Sequence, residues 1–117
     1  MLSDLPLFQI YGAMARYAAE SQKVSATNLA HADEPGYKAM KVESFEEFMQ
    51  RAAATGGMDT TRIKQVEANT PSSPNGNTVS LDHELYVSAD AMGQHNLAIT
   101  VYEKSLDLMR TALGKGR

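Results

Sequence analysis

LDHELYVSADAMGQHNLAITVYEKSLDLMRTAL, residues 81–113, is the stretch that decides the fold. Apolar side chains recur in it at every seventh position, and a second row follows three residues after the first. The first row contains Leu85, Met92, Ile99, Leu106 and Leu113, and the second row contains Ser88, His95, Tyr102 and Met109. Alternating spacings of three and four residues are typical of the a and d positions of a coiled coil. The stretch therefore predicts one long helix with a seam that faces another helix.

The expected ends of this helix are also marked. Ser80 is suited to the N-cap, and Asp82 and Glu84 place carboxylates in the first turn, where the helix dipole favours them. Gly114 marks the end, and Arg110 lies in the last turn. Such a helix is about 50 Å long at ~1.5 Å per residue. Burying its seam within a chain of 117 residues requires an equally long partner.

The N-terminal part of the chain offers that partner. The same alternating spacing runs through Phe8, Tyr11, Ala15, Ala18, Gln22, Ser25, Leu29 and Ala32. These positions predict a helix from about residue 7 to residue 32. Most of its seam residues are small, so they bury less apolar area than Leu or Ile would. We expect this helix to need further partners for its stability.

The middle of the chain has a different composition. Pro35 and Gly36 end the first helix, and a short amphipathic piece can follow at residues 45–49, with Phe45, Phe48 and Met49 on one face. Residues 55–78 are rich in Gly, Thr, Asn, Ser and Pro, which is typical of turns and linkers. We interpret this region as a flexible or partly extended connector; an ordered surface loop is the alternative.

The predicted fold is therefore all-α. Long N- and C-terminal helices form an antiparallel coiled-coil-like pair, joined by the connector. The expected boundaries are 1–34 for the N-terminal helical segment, 35–79 for the post-helix turn and connector, and 80–117 for the C-terminal heptad helix. Together these segments make one small domain.

Composition excludes several classes of function. The formal net charge of −3 provides no basic field for nucleic acid, and the absence of cysteine excludes disulfides and thiolate chemistry. We find neither a segment long and apolar enough to span a membrane nor a cleavable secretion signal at the N-terminus. We therefore expect a protein that stays in the cytoplasm or is exported without signal cleavage.

The residues that could support chemistry are few. His31, His83 and His95 do not share the spacing of a helical metal pair, and no phosphate-binding loop occurs. Neighbouring acidic residues are better explained as solvated helix ends and faces than as an acid–base pair. We expect no cofactor, no metal, no small-molecule substrate and no enzymatic activity.

One segment carries a more specific pattern, ATNLAHADEPGYK at residues 26–38. It resembles the N-terminal motif of the bacterial flagellar axial family, which includes rod and hook proteins. The matching positions are Asn28, Leu29, Pro35, Gly36, Tyr37 and Lys38. His31 stands where the family usually has a second Asn, and Glu34 stands where it usually has Thr.

A second segment narrows the resemblance. NGNTVSLDHE, residues 75–84, looks like the junction between linker and C-terminal helix in proximal rod proteins. The short chain, without an inserted outer domain, fits these proteins better than the longer distal rod or hook proteins. Two sister proximal rod proteins remain open as the nearest match.

The resemblance implies a function. It implies a structural subunit of the proximal rod, located in the periplasmic part of the flagellar basal body and exported through the flagellar type III apparatus without signal cleavage. Its partners would be further copies of the chain, other flagellar rod proteins and the export apparatus. The residues expected to pack between subunits are Phe8, Tyr11, Leu29, Leu85, Met92, Ile99, Tyr102, Leu106, Met109 and Leu113. The alternative is a cytoplasmic helical adaptor or export chaperone that binds a client helix.

Overall fold

A computed structural model describes residues 6–114 of the chain. The chain is mostly helical, with three helices and two short strands among these residues. In chain order the elements are α1 (Pro6–Ala30), β1 (Met40–Val42), α2 (Phe45–Thr55), β2 (Gln65–Glu67) and α3 (Leu81–Gly114). Residues 1–5 and 115–117 of the predicted terminal segments lie outside the described part.

The two long helices pack against each other in opposite directions, as the sequence predicted. Near one end, the ring of Phe8 meets the ring of Tyr102 edge-on, with centroids 5.2 Å apart. Near the other end, the hydroxyl of Ser25 donates a hydrogen bond of 3.2 Å to the backbone carbonyl of Glu84. The paired helices give the molecule an elongated shape of 68 × 28 × 16 Å.

A small antiparallel sheet corrects the prediction of an all-α chain. β1 pairs with β2 in a register that places Met40 opposite Glu67 and Val42 opposite Gln65. Each strand is only three residues long. Apolar and polar residues cannot show a recognisable alternation over three positions, so the sequence pattern gave no indication of these strands.

The connector also holds a helix, α2, over the amphipathic segment. Ser44 and Glu47 form a reciprocal capping box at its start, and Gly56 ends it in a left-handed conformation with φ of +108°. Phe48 is fully buried, and the guanidinium of Arg16 in α1 lies 5.6 Å from the centre of its ring. This contact helps to hold α2 on the side of α1.

The buried carboxylate of Glu43 connects α2 with the segment that leads into β2 through hydrogen bonds. The Glu43 side chain accepts hydrogen bonds from Nε of Arg51 at 3.0 Å and from the backbone N–H of Lys64 at 2.6 Å. The hydrogen bond from Arg51 keeps the pKa of Glu43 below its usual value, with the Lys64 N–H acting in the same direction. The region between the long helices thus contains more fixed contacts than its composition indicates.

Candidate assembly surface and motif joint

The two segments that carry the family resemblance lie together in space. Residues 26–38 and residues 75–84 meet where α1 ends and α3 begins, and we call this region, together with the adjoining Ala39 and Met40, the motif joint. Backbone hydrogen bonds run directly between the segments, from the N–H of Gly36 to the carbonyl of Asn75 and from the N–H of Thr78 to the carbonyl of Tyr37, each 3.0 Å long. The sequence presents these segments separately, and the fold makes them one site.

Asn28 is the centre of the motif joint. Its side chain is 1% exposed, and its Oδ1 accepts hydrogen bonds from the N–H of Met40 at 3.0 Å and from the hydroxyl of Tyr37 at 3.3 Å. Its Nδ2 donates to the carbonyl of Met40 at 2.7 Å and to Oε2 of Glu84 at 3.0 Å. One amide therefore uses both its donors and both its acceptor positions to join α1, β1 and α3.

Glu84 is the partner that sequence reasoning missed. It lies in the first turn of α3, as expected, but its side chain is only 2% exposed and contacts α1, which the sequence did not indicate. A carboxylate removed from water is unfavourable unless hydrogen-bond donors replace the lost solvent, and the Asn28 amide is such a donor. Asn28 and Glu84 are 56 positions apart in the chain, so no local spacing indicates that they meet.

Asn77 closes the other side of the motif joint. Its Nδ2 donates to the backbone carbonyls of His31 and Glu34, at 2.9 and 2.7 Å, just beyond the last residue of α1. Its Oδ1 accepts from the N–H of Val79 at 2.8 Å. The carbonyls of His31 and Glu34 also accept the backbone N–H groups of Glu34 and Tyr37, respectively, so Asn77 adds a second donor to each. Asn77 thus bonds the turn after α1 to the segment that leads into α3.

The remaining motif residues have different roles. The ring of Tyr37 stacks on the ring of His31, with centroids 4.6 Å apart and planes inclined by 5°. Nζ of Lys38 donates a long hydrogen bond of 3.4 Å to the carbonyl of Gly76. Pro35 and Leu29 are exposed, so the structure does not tie their side chains into the joint.

Two glycines bring the segments into close contact. Gly36 and Gly76 both have positive φ, +77° and +85°. A Cβ on Gly76 would lie 3.3 Å from the Cα of Gly36, whereas a Cβ on Gly36 would have no neighbour within 4 Å. The motif joint therefore needs glycine at position 76 for two reasons, conformation and space.

α3 meets α1 through a row of residues that the sequence did not single out, and the two predicted rows lie beside it. The row that faces α1 most directly contains Glu84, Ala91 and Ala98, all of them buried and seven residues apart. The second predicted row, Ser88, His95, Tyr102 and Met109, is half-buried beside it.

The first predicted row points further outward. Leu85, Met92, Ile99 and Leu113 are 64%, 52%, 39% and 68% exposed, and Leu106 is half-buried. We call these five residues the outer ridge. On α1, Phe8 is buried against α3, Tyr11 is half-buried and Leu29 is 36% exposed. The bulky side chains of α3 are thus largely left outside the helix pair, because the small residues one position earlier form its contact.

A cleft of about 210 Å³ lies between α1, β1 and α3. It is lined by both polar and apolar side chains, among them Tyr17, Val24, Val87 and Asp90. The hydroxyl of Tyr17 donates to the carbonyl of Glu43 at 2.5 Å, and burial raises its pKa, assisted by the nearby charge of Glu43. This hydroxyl is therefore committed to a contact within the fold.

Comparison with known proteins gives no assignment. No protein-family model and no curated protein matches the chain. Within residues 6–114, no three His, Asp or Glu side chains gather as a metal site would require. The helices of this part also include none that is long and apolar enough to cross a membrane.

Proposed function

We propose that the chain is a structural subunit of the proximal rod of the bacterial flagellar basal body, which assembles through coiled packing of α1 and α3 with neighbouring subunits. The observation that carries the proposal is the outer ridge. Leu85, Met92, Ile99 and Leu113 recur at heptad spacing and remain between 39% and 68% exposed, although α3 already has α1 as a partner. Exposed apolar rows of this kind mark surfaces that another protein covers.

The energy available on the outer ridge is considerable. Burying a Leu, Ile or Met side chain completely contributes about 1.5–3 kcal/mol, so each half-exposed ridge residue retains roughly 1 kcal/mol for a later contact. The row that already contacts α1 contributes less, because Ala91 and Ala98 carry little apolar area. Neighbouring subunits would therefore add to a pairing that is weak within one chain.

The resemblance supplies the identity of the neighbours. The segment at residues 75–84 resembles the junction between linker and helix in the proximal rod protein FlgB, with the sister protein FlgC as the alternative. The partners would then be further copies of the chain, the rod proteins FlgC, FlgF and FlgG, the basal-body protein FliE, and the flagellar type III export apparatus. The motif joint supports this reading, because both segments that carry the resemblance take part in one hydrogen-bonded structure.

The direct test places a charge on the outer ridge. In cells that depend on this chain for motility, Ile99→Asp or Leu106→Asp should abolish rod formation and swimming, because a carboxylate would be buried in an apolar contact. Thr100→Asp is the matched control, since Thr100 is exposed on α3 but does not belong to the ridge. Normal basal bodies in cells that carry Ile99→Asp would refute the proposal.

The outer ridge also suits the alternative function, an adaptor or export chaperone that receives a client helix. An adaptor would remain in the cytoplasm and be absent from purified basal bodies. It would also be folded before it met a client, with strong helicity and a sharp cooperative melting transition in dilute solution. Circular dichroism, size measurement and detection of the chain in basal-body preparations would separate the two functions.

A further inference from the structure

We propose that the outer ridge of one molecule docks on a row of small residues of α1 in a second copy. This small-residue row consists of Gly12, Ala19 and Ala26, which are exposed and seven residues apart, as the ridge residues are. Ala15 and Gln22 lie between them and are half-buried. The inference rests on the proposed function and names the surface that the outer ridge meets.

The two rows lie on the same face of the molecule. Tyr17 of α1 and Asp90 of α3 line the cleft beside β1, so they point to the side that carries the sheet. Ala19 follows Tyr17 by two positions, and Met92 follows Asp90 by two. Two positions along an α-helix correspond to a rotation of about 200° at 3.6 residues per turn. Both rows therefore point away from the sheet and share the open face of the helix pair.

On each helix, this open face lies directly beside the residues that form the contact between α1 and α3. The outer ridge follows the buried row of α3 by one position, as Met92 follows Ala91. The small-residue row follows inward-facing positions of α1 in the same way, as Ala19 follows the buried Ala18. A row of bulky side chains and a row without bulk thus lie side by side along the edge of an established interface.

Size decides which row of a second copy can cover the ridge. The distance between packed helices depends on the side chains at their contact, and small residues allow the closest approach. A Cβ placed on Gly12 would have no neighbour within 4 Å, so there is open space above this row. A ridge of Leu, Met and Ile can fill that space at a shorter distance between helix axes than two facing ridges would allow.

Charge at the edges of the two rows favours the same pairing. Asp82 and Glu103 are exposed and lie three positions before the ridge residues Leu85 and Leu106; Arg110 holds the same place before Leu113. Lys23 is exposed three positions before Ala26 of the small-residue row. Two negative charges and one positive charge thus give the edge of the ridge a net charge of −1, opposite in sign to the charge of Lys23. A contact that engages the ridge of one copy and the row of another, but not the reverse pair, leaves one of each free and can propagate through further copies.

The absence of cysteine makes the contact directly testable. The single variants Ala19→Cys and Met92→Cys are mixed in equal amounts at a concentration that supports association, and then oxidised. We expect the mixed disulfide to exceed either homodimer several-fold, because disulfides form only where the two Cα atoms come within about 7 Å. Ala53→Cys, on the exposed side of α2, is the control partner for Met92→Cys and should form the mixed disulfide no more often than chance.

Because both rows repeat every seven residues, Met92 could meet a residue other than Ala19. The experiment is therefore repeated with Ala26→Cys and with Leu85→Cys or Ile99→Cys. Circular dichroism on each variant confirms that the helices are intact. Predominance of Met92→Cys homodimers would show ridge against ridge and overturn the inference, as would only random cross-linking across the whole set. If Ile99→Asp blocks assembly while no mixed disulfide forms, the inference fails and the proposed function stands. Normal assembly of Ile99→Asp would overturn both.

Discussion

The motif joint and the helix pair are held together by different physical means. In the motif joint, buried amides such as Asn28 and Asn77 bond to backbone groups of other segments, and each bond fixes a direction as well as a distance. Along the helix pair, the inner row of α3 is mostly small, and only bulky contacts such as Phe8 with Tyr102 reinforce it. The chain thus has one end with a specified geometry and a body in which the larger apolar side chains of α3 remain largely exposed.

The difference teaches that two regions of one small domain can respond to substitution in opposite ways. Hydrogen bonds in a buried network are sensitive to the loss of any member, because each partner left behind is unsatisfied. Exposed apolar residues have the opposite property, since their removal leaves the isolated molecule nearly unchanged. Substitutions in the two regions should therefore separate stability from assembly.

The largest effect is expected at Asn28. Replacing it with Ala removes four hydrogen bonds and leaves the buried Glu84 carboxylate without this donor, so the free energy of unfolding should fall by about 3 kcal/mol. Urea denaturation of the dilute protein measures the change. Asn96→Ala, at an exposed position of α3, should change stability by less than about 0.5 kcal/mol. Equal effects of the two substitutions would remove the distinction between the regions.

A smaller effect should distinguish two adjacent positions of α3. Ala91 is buried against α1, so Ala91→Leu overpacks the contact and should lower the free energy of unfolding by about 2 kcal/mol. Met92→Leu conserves volume at an exposed position and should be nearly neutral. Thermal unfolding of both variants compares them. The opposite order would mean that the outer ridge, and not the row of Ala91 and Ala98, faces α1.

The glycines of the motif joint give the next effect. Ala at position 36 has to adopt a positive φ in open space, which should lower the free energy of unfolding by about 1 kcal/mol. Ala at position 76 has the same strain, and its Cβ also lies against the Cα of Gly36. Gly76→Ala should therefore destabilise the protein more than Gly36→Ala in the same denaturation assay. The reverse order would show that the two backbones are not in close contact.

The smallest effect concerns pH. The pKa of Glu43 is lowered in the folded state, chiefly by the hydrogen bond from Arg51, so this group stabilises the fold above its unfolded pKa. That contribution is lost as the pH falls through the lowered folded value. Denaturation at pH 7 and at pH 3 should show a smaller loss of stability on acidification for Glu43→Gln than for the unchanged chain. An identical pH dependence of the two proteins would exclude this role.

The long elements could be predicted from the sequence because their pattern repeats many times. Heptad spacing located α1 and α3 to within a few residues and indicated that they pair. It could not show which side of α3 faces α1, because the buried Ala91 and Ala98 carry little hydrophobic weight beside Met92 and Ile99. The larger side chains dominate the hydrophobic pattern of the sequence, whereas the closest contact between the helices uses the smaller ones.

The motif joint was beyond sequence reasoning for a different reason. Composition around Asn75 and Asn77 reads as flexible linker, yet these side chains bond to backbone groups and order the turn. The same polar residues are typical of both mobile and fixed loops, and the difference depends on partners more than forty positions away. The sheet was missed because three residues are too few to form a pattern.

The position of Glu84 at the start of α3 means that the motif joint fixes the base of this long helix. The helix is 34 residues long, which corresponds to a length of about 51 Å at ~1.5 Å per residue. A tilt of roughly 5° at its base would swing the tip by about 4 Å, close to the ~5.4 Å between successive helical turns. The buried amide bonds at this base, together with the contacts along α1, thus determine where the far ridge residues lie.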